Sequence, residues 1–421
     1  MRFISLLLGK TILKALRLMG RSGSALPGLV VEKINPKFLG AMLGGLPEGV
    51  LVVTGTNGKT TTTKAITELL EAQGLRVLTN KTGSNFVRGT VTTVLDKAHF
   101  NGSLPYDIAV FEQDEAHAVH FINSIKPRGV VLLNLMRDQM DRFGEIDTTA
   151  KLLQKVVSSA MSWVVLNAND QRVAKLKPSE GVKTVWYGHS KELQPSFLTD
   201  DELHHQDDLT YSVAGAMAVE LIGYDANSVR INTHGQLHDF KTLLSGSHNA
   251  INLTASLAVL GVVKPDFDKD KASVAISKLQ PAFGRGEVVS LDNGKQITLQ
   301  LVKNPGSFTH ALRMLELSSY GVVGVAINDD YADGRDVSWL WDVDFNMLNT
   351  AGKVICGGAR GNDMAVRLKY DGVKAVEVIT ELGNFVDLIV EATGSGGSII
   401  FCTYTSMLKI RDKMHVKKVS V

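Results

Sequence analysis

At 421 residues the chain is too long for one ordinary domain, and 44% hydrophobic with 21% charged residues is the balance of a folded protein of two or three domains, not of a disordered tail. A formal net charge of +2 provides no overall field to draw nucleic acid, so no nucleic-acid partner is expected. The only two cysteines, Cys356 and Cys402, lie in apolar strand-like runs; they cannot build a four-thiolate zinc site and read as buried, reduced thiols suited to a cytoplasm.

The chain begins with an apolar run, residues 3–8, that Lys10, Lys14, Arg17 and Arg21 then interrupt. No small-residue cleavage site follows, and no stretch is long and apolar enough to span a bilayer. Leu6, Ile12, Leu13 and Leu16 with basic residues between them predict an amphipathic helix within an N-terminal segment, residues 1–45. Such a face is expected to pack on the body of the protein; the sharper reading is a helix resting on an anionic membrane surface. A strand at 50–54 runs into a glycine loop and a helix from about 61 to 73, and further strands are predicted at 76–79, 107–111, 129–134 and 163–167. Strands alternating with helices predict an α/β fold with parallel sheets. The polar stretch 190–208 reads as a surface excursion with solvated His204 and His205. Gly284-Arg285-Gly286-Glu287 reads as a hinge, after which strands at 296–302, 322–327, 354–357, 375–379 and 399–403 enclose helices near 307–317 and 362–369. The domains predicted are therefore a central one, 46–288, and a smaller C-terminal one, 289–421.

The loop Thr54-Gly55-Thr56-Asn57-Gly58-Lys59-Thr60-Thr61-Thr62 follows a strand and opens a helix, the context a phosphate loop requires. Glycines let backbone N–H groups turn toward phosphate oxygens, and the helix N-terminus adds its positive dipole end. Lys59 is expected to reach the outer phosphates and the Thr60 hydroxyl to sit on Mg²⁺. The common form has a glycine five residues before the second one, where Val53 stands here. A turn that binds nothing is the bland alternative, outweighed because strand, loop, Lys-Thr and helix coincide.

This shortened loop resembles that of the Mur ligase family, enzymes that use ATP to activate a carboxylate as an acyl phosphate for attack by an amine. Other segments agree in order: Phe111-Glu112 where the family has its Mg²⁺ glutamate, Asn134 at the next strand end, residues 246–252 with Asn249 as the adenine-side motif, Arg285 as the phosphate-sensing arginine, and the Asn304-Pro305 turn. The run 333–345 is similar to the MurT family of ligase subunits, as are Asp138-Gln139, residues 363–370 and Thr403-Tyr404-Thr405. The resemblance implies a Mur-ligase-type central P-loop domain with a parallel-rich sheet, a smaller C-terminal Rossmann-like α/β domain, and no leading sugar-nucleotide domain. It implies ATP and Mg²⁺ as cofactors. Gly55, Thr56, Asn57, Gly58, Lys59, Thr60, Thr61, Asn249 and Arg285 would hold the nucleotide, Thr60 and Glu112 the metal. MurT proteins commonly carry a four-cysteine zinc ribbon; this chain lacks those cysteines, so neither ribbon nor zinc is expected.

The implied reaction converts the α-carboxylate of D-isoglutamate in lipid II to an amide, at the inner face of the membrane. Its ammonia would come from a separate GatD-like glutaminase subunit in a heterodimer. Lys59 and Glu112 would serve phosphoryl transfer, and Asp336, with Asp333 next, would orient the partner's catalytic histidine. Bland readings stand beside these. Glu115 rivals Glu112, and a strand-end carboxylate can simply be exposed. Lys151 and Lys155 are placed where other Mur ligases use a carbamylated lysine but read better as solvated. His117 and His120 share a helix face without a catalytic context. Asn249 can be a helix cap. Residues 333–342 can be a turn with Trp339 and Trp341 in a core, whereas exposed tryptophans would favour an interface. The alternative functions are a stand-alone amino-acid ligase of the Mur or folylpolyglutamate type, and a subunit whose ATP only regulates binding.

Overall fold

The computed structural model describes residues 2–19, 25–80, 86–137, 146–197, 211–281, 284–291, 294–313, 320–373 and 376–414, apart from the side chains of Arg2 and Arg285. His204, His205, Asp138 and Gln139 therefore lie outside the described residues.

Three helices come first: α1 (Arg2–Leu18), α2 (Leu26–Ile34) and α3 (Phe38–Leu43). As expected, α1 packs on the body, burying Leu6, Leu13 and Leu16 against neighbours that include α2. The central sheet starts with β1 (Val50–Thr54), followed by α4 (Lys59–Ala72), β2 (Val77–Thr79), α5 (Val87–Lys97), β3 (Ile108–Glu112), α6 (Glu115–Ser124) and β4 (Gly129–Leu132). It continues with α7 (Ile146–Ser158), β5 (Trp163–Asn167), α8 (Gln171–Ala174) and β6 (Lys183–His189). The three strands β7 (Met217–Tyr224), β8 (Ser228–Thr233) and β9 (Gln236–Lys241) then precede α9 (Ser247–Val263) and α10 (Lys269–Lys278).

Among the described residues this sheet has nine strands, in the order β2-β3-β1-β4-β5-β6-β7-β8-β9. They are parallel as far as β7 and antiparallel from β7 to β9. The five residues Val-Leu-Val-Val-Thr of β1 are all buried, because helices cover both faces. Leu51 and Val53 join Ile66, Leu69 and Leu253 in one core, while Val50 and Val52 join Val31, Phe121 and Leu153 in the other. The sheet grows from β1 to one side through β3 and to the other through β4. The crevice at the C-terminal end of β1 is therefore the topological switch point, where ligands of open α/β sheets gather.

Strands β6 to β9 are missing from the sequence reading. β7 is half-buried along most of its length and β9 largely exposed, and they carry Glu220, His238 and Asp239, which dilutes the apolar alternation that marks a strand. Residues 190–197 are also not a surface excursion: Gln194 and Phe197 are buried, and Phe197 stacks on His189 at 4.6 Å between ring centroids.

A second sheet takes up the chain with β10 (Arg285–Ser290) and β11 (Gln296–Leu301), then α11 (Pro305–Leu312), β12 (Val322–Ala326) and β13 (Lys353–Gly357). It is completed by α12 (Gly361–Tyr370), β14 (Val376–Ile379), α13 (Leu382–Ala392), β15 (Ser398–Cys402) and α14 (Tyr404–Lys413). The order is β10-β11-β15-β12-β13-β14, with only β10 antiparallel to its neighbour. Phe308 anchors one face, 4.9 Å from Phe345 and 5.3 Å from Phe401 between ring centroids. Cys356 and Cys402 are buried free thiols. Burial pushes Cys356 up to about 12 and Cys402 higher still, so neither is a thiolate near neutrality.

Candidate active site

The phosphate loop is built by two glycines and clamped by residues that follow β4. Gly55 and Gly58 have φ of +124° and +88°, backbone conformations that L side chains rarely adopt. A Cβ at Gly55 would sit 3.0 Å from the Asn134 backbone, and one at Gly58 only 2.2 Å from Oδ1 of buried Asn252. Asn134 accepts from the Asn57 N–H at 2.8 Å and donates to the Asn57 carbonyl at 3.0 Å. The Thr56 hydroxyl donates to the Met136 carbonyl at 3.2 Å and accepts from its N–H at 3.1 Å. Asn134 is thus a loop clamp rather than an open strand-end group. Gly58→Ala is expected to cost about 1–3 kcal/mol of stability through strain, and nucleotide affinity beyond that. Denaturant unfolding and calorimetric titration with Mg·ATP measure both.

The acidic candidates take separate places. Lys59 is buried, and its Nζ donates to the carbonyls of Gly55 (2.6 Å) and Thr56 (3.2 Å) and to Glu115 Oε2 at 3.1 Å. Burial pushes the Glu115 carboxyl up, the Lys59 ammonium opposes that rise, and Asp114 adds to it. Glu112 instead accepts from the Thr60 hydroxyl at 3.0 Å. Its backbone is fixed by Asn80, which donates to the Glu112 carbonyl (3.0 Å) and accepts from its N–H (3.1 Å). A hydroxyl and a carboxylate side by side at a strand end are hard oxygen donors, so Thr60 and Glu112 fit a Mg²⁺ ion. Thr61 is buried within α4.

Asn249, the adenine-side candidate, is buried at the start of α9. Its amide donates to the Ser245 carbonyl at 2.8 Å, holding the turn into α9, whose N-cap is Gly246. The residues of that motif that line the cleft beside Asn57 and Gly58 are His248, Ile251 and Asn252. Arg285 opens β10, but its side chain lies outside the described residues.

The second domain reaches over the loop. Lys303 Nζ donates to the Thr56 carbonyl at 3.2 Å, and the Asn304 amide donates to Asn57 Oδ1 at 3.1 Å. Asn304 also caps α11, accepting from the Ser307 N–H at 2.8 Å in a reciprocal capping box. One turn further along α11, His310 lines the same cleft. Burial holds its imidazole down at about 4, with Arg313 adding to the effect, and its Nδ1 has no partner among the described residues. Lys303 is the functional candidate the sequence reading missed; its signal was its position directly before Asn304-Pro305.

A second group lies on the C-terminal domain. Asp333 is buried and clasps the start of α14, accepting from the Thr405 N–H at 2.8 Å and from the Thr405 hydroxyl. Burial pushes its carboxyl up, and the Thr405 bonds oppose this. Asp336 is exposed and accepts from the Ser338 N–H at 2.8 Å, which turns the chain. Trp339 packs toward Phe308, whereas Trp341 is 52% exposed and edge-on to Tyr370, itself 75% exposed. The turn and core readings thus hold for Asp333 and Trp339, while Trp341 points outward.

The remaining candidates lie apart from the loop. His117 is edge-on to Phe86 at 4.3 Å, and His120 meets Glu32 at 3.1 Å. Lys151 and Lys155 are exposed on α7.

Two family descriptions match this chain: "Mur ligase middle domain" over residues 53–260 and "MurT ligase C-terminal" over residues 301–407. The lipid II isoglutaminyl synthase (glutamine-hydrolyzing) subunit MurT of Streptococcus pneumoniae is 31% identical over 99% of this chain and 97% of its own length. The chain belongs to the MurT family. The similar MurT subunit of Staphylococcus aureus is 27% identical, covering 97% of this chain and 96% of its own. Among solved structures, MurF ligase from Thermotoga maritima in complex with ADP shares the fold with a TM-score of 0.70 at 15% identity, over 91% of this chain and 84% of that one. A pseudomurein peptide ligase type C from Methanothermus fervidus has a TM-score of 0.69 at 16% identity, over 92% and 83%. This MurT-family ligase therefore has the Mur ligase fold, with the loop at residues 54–62 inside the matched middle domain and Asp336 inside the matched C-terminal domain.

Proposed function

We propose that this chain is the ligase subunit that amidates the α-carboxylate of D-isoglutamate in lipid II to D-isoglutamine, through an acyl phosphate made from ATP, with ammonia from a GatD-like glutaminase subunit. What carries the reading is the near-full-length likeness to a glutamine-hydrolyzing MurT subunit, in a chain whose own two thiols are too buried to attack glutamine. The nitrogen would then be released by another polypeptide. The nucleotide domain would end a few residues before the boundary expected at 289, because β10 from Arg285 onward already pairs in the second sheet; the second domain would meet the partner, with the substrate placing the work at the inner face of the membrane.

A carboxylate is a poor electrophile, and ammonia does not displace its oxygen in water. The carboxylate oxygen attacks the γ-phosphorus, the bond from that phosphorus to its bridging oxygen breaks, and ADP leaves. Ammonia nitrogen then attacks the acyl carbon, the carbon–oxygen bond to phosphate breaks, phosphate leaves and the nitrogen loses a proton. Negative charge gathers on the transferred group in the first step. Lys59 offsets it by exchanging Glu115 for phosphoryl oxygens, and Lys303 adds a second cation from the other domain. Mg²⁺, when held by Thr60 and Glu112, screens the phosphates further. The Asn57–Asn304 pair ties the second domain to the loop, so an acid held by that domain would face the phosphoryl group.

Reconstitution tests the reading. The purified chain with a glutaminase-type partner, lipid II, Mg·ATP and glutamine is expected to yield amidated lipid II and one ADP per amide. Ammonium salts are expected to replace glutamine without the partner. No amide under either condition would sink the proposal. An amino acid joined by the lone chain would favour the stand-alone ligase instead.

A further inference from the structure

We infer that the outer face of α1 docks on an anionic membrane surface. The helix is apolar on two sides, and among the described residues only one of them is covered. Leu6, Leu13 and Leu16 are buried. At 100° per residue, Phe3, Ile4, Leu7, Thr11, Lys14 and Leu18 form the opposite stripe. Phe3 and Ile4 are each 62% exposed, Leu7 47% and Leu18 81%. The Thr11 hydroxyl is satisfied within the helix by the Leu7 carbonyl at 2.8 Å, so it asks nothing of the medium outside. Phe100, 64% exposed, lies beneath the ammonium of Lys10 on the same helix, 5.2 Å from the ring centroid. A contiguous exposed patch of this kind marks a surface that something covers.

Charge says what covers it. The sequence of α1 holds no acidic residue. The first 37 residues carry seven basic residues and a single acidic one, Glu32, while the remaining chain carries 38 basic and 42 acidic residues. Glu32 is already engaged by Arg88 at 3.6 Å and His120 at 3.1 Å. The near-neutral total thus hides one strongly basic end. Lys14 lies in the stripe and Lys10 along one edge of it, with Arg17 beyond, paired to Asp96 at 2.9 Å; the long lysine stems can lie along lipid while their charges stay at headgroup level. A second copy fits poorly: a two-fold contact would set these cations against their own equivalents with no acidic residue on the helix between them. The helix is 17 residues, and no helix among the described residues is long and apolar enough to cross a membrane, so the helix lies in the surface plane. The inference rests on the amidation reading only for its purpose, bringing the site to a membrane-bound substrate. The binding itself does not depend on any turnover.

Cosedimentation of the full chain with vesicles tests this. Vesicles of about one-third phosphatidylglycerol in phosphatidylcholine are expected to bind at least about tenfold more tightly than pure phosphatidylcholine, given roughly 1 kcal/mol per basic residue near the surface. Lys14→Glu is expected to weaken binding to the anionic vesicles by about tenfold. The combined Phe3→Ser, Ile4→Ser and Leu7→Ser variant is expected to lose binding while keeping its thermal unfolding and ATP turnover, because all three side chains are exposed. Equal binding to both vesicle types, or undiminished binding of the triple variant, overturns the inference. So does a wild-type dimer that the triple variant makes monomeric, since the face would then be a protein contact. Failure of the amidation reading would leave the vesicle result intact.

Discussion

Lys59→Ala is expected to lower ATP-dependent turnover by about 10³-fold, the scale on which removing a cation or donor aimed at a developing charge acts. Steady-state ADP release and ATP titration measure it. The substitution also strips Glu115 of its partner inside the protein, and an uncompensated buried charge costs about 3–5 kcal/mol. Part of any loss could therefore be instability, and Lys59→Ala combined with Glu115→Gln separates the two. The double variant is expected to regain stability without regaining turnover. Turnover restored in the double variant would mean that Lys59 only neutralises Glu115.

The pH dependence supplies a second check. Burial already raises the Glu115 carboxyl, and without Lys59 opposing that rise it moves higher. A carboxyl raised in the folded state holds its proton more tightly there than in the unfolded chain. The associated stability is complete below the ordinary carboxylate range and is lost as pH rises through the folded value. The deficit of Lys59→Ala is therefore expected to be largest near neutral pH and to shrink on acidification, as read by denaturant unfolding at a series of pH values. A deficit that grows on acidification would contradict the buried-pair argument.

Asp336→Asn is expected to reduce glutamine-dependent amidation by roughly 10²–10⁴-fold while leaving ammonium-dependent amidation by the same complex unchanged. An asparagine cannot hold the partner's histidine in the required tautomer or stabilise its charged form, an effect of that order in hydrolytic triads. The amide oxygen still accepts from the Ser338 N–H, so the turn survives. Equal loss with ammonium would show that Asp336 supports the fold or the ligase site, and no loss at all would remove it from the partner's machinery. Asp333 is unsuited to the same role. Both of its oxygens are taken by Thr405 in a buried clasp, and its removal is expected to destabilise the C-terminal domain.

The phosphate loop was legible because its chemistry is local. A buried β-branched strand, two glycines, Lys-Thr and a helix start fall within consecutive residues, and each step follows from short-range backbone physics. The same holds for the alternation of strands with helices on which the α/β reading rests. By itself, then, the sequence determined the parallel α/β core, the loop at the end of β1, the inertness of the two thiols and the basic character of the first helix. Only the tertiary structure decided which carboxylate faces which partner. Glu112 and Glu115 are three residues apart and equally acidic, yet one meets Thr60 across 52 residues and the other Lys59 across 56. It also decided that Asn134 clamps the loop, that Lys303 and Asn304 arrive from 247 residues away, and that the described residues leave one apolar face of α1 exposed. Such pairings come from how sheets and helices stack, and side-chain contacts between distant segments leave no period in the chain for local propensity to reveal.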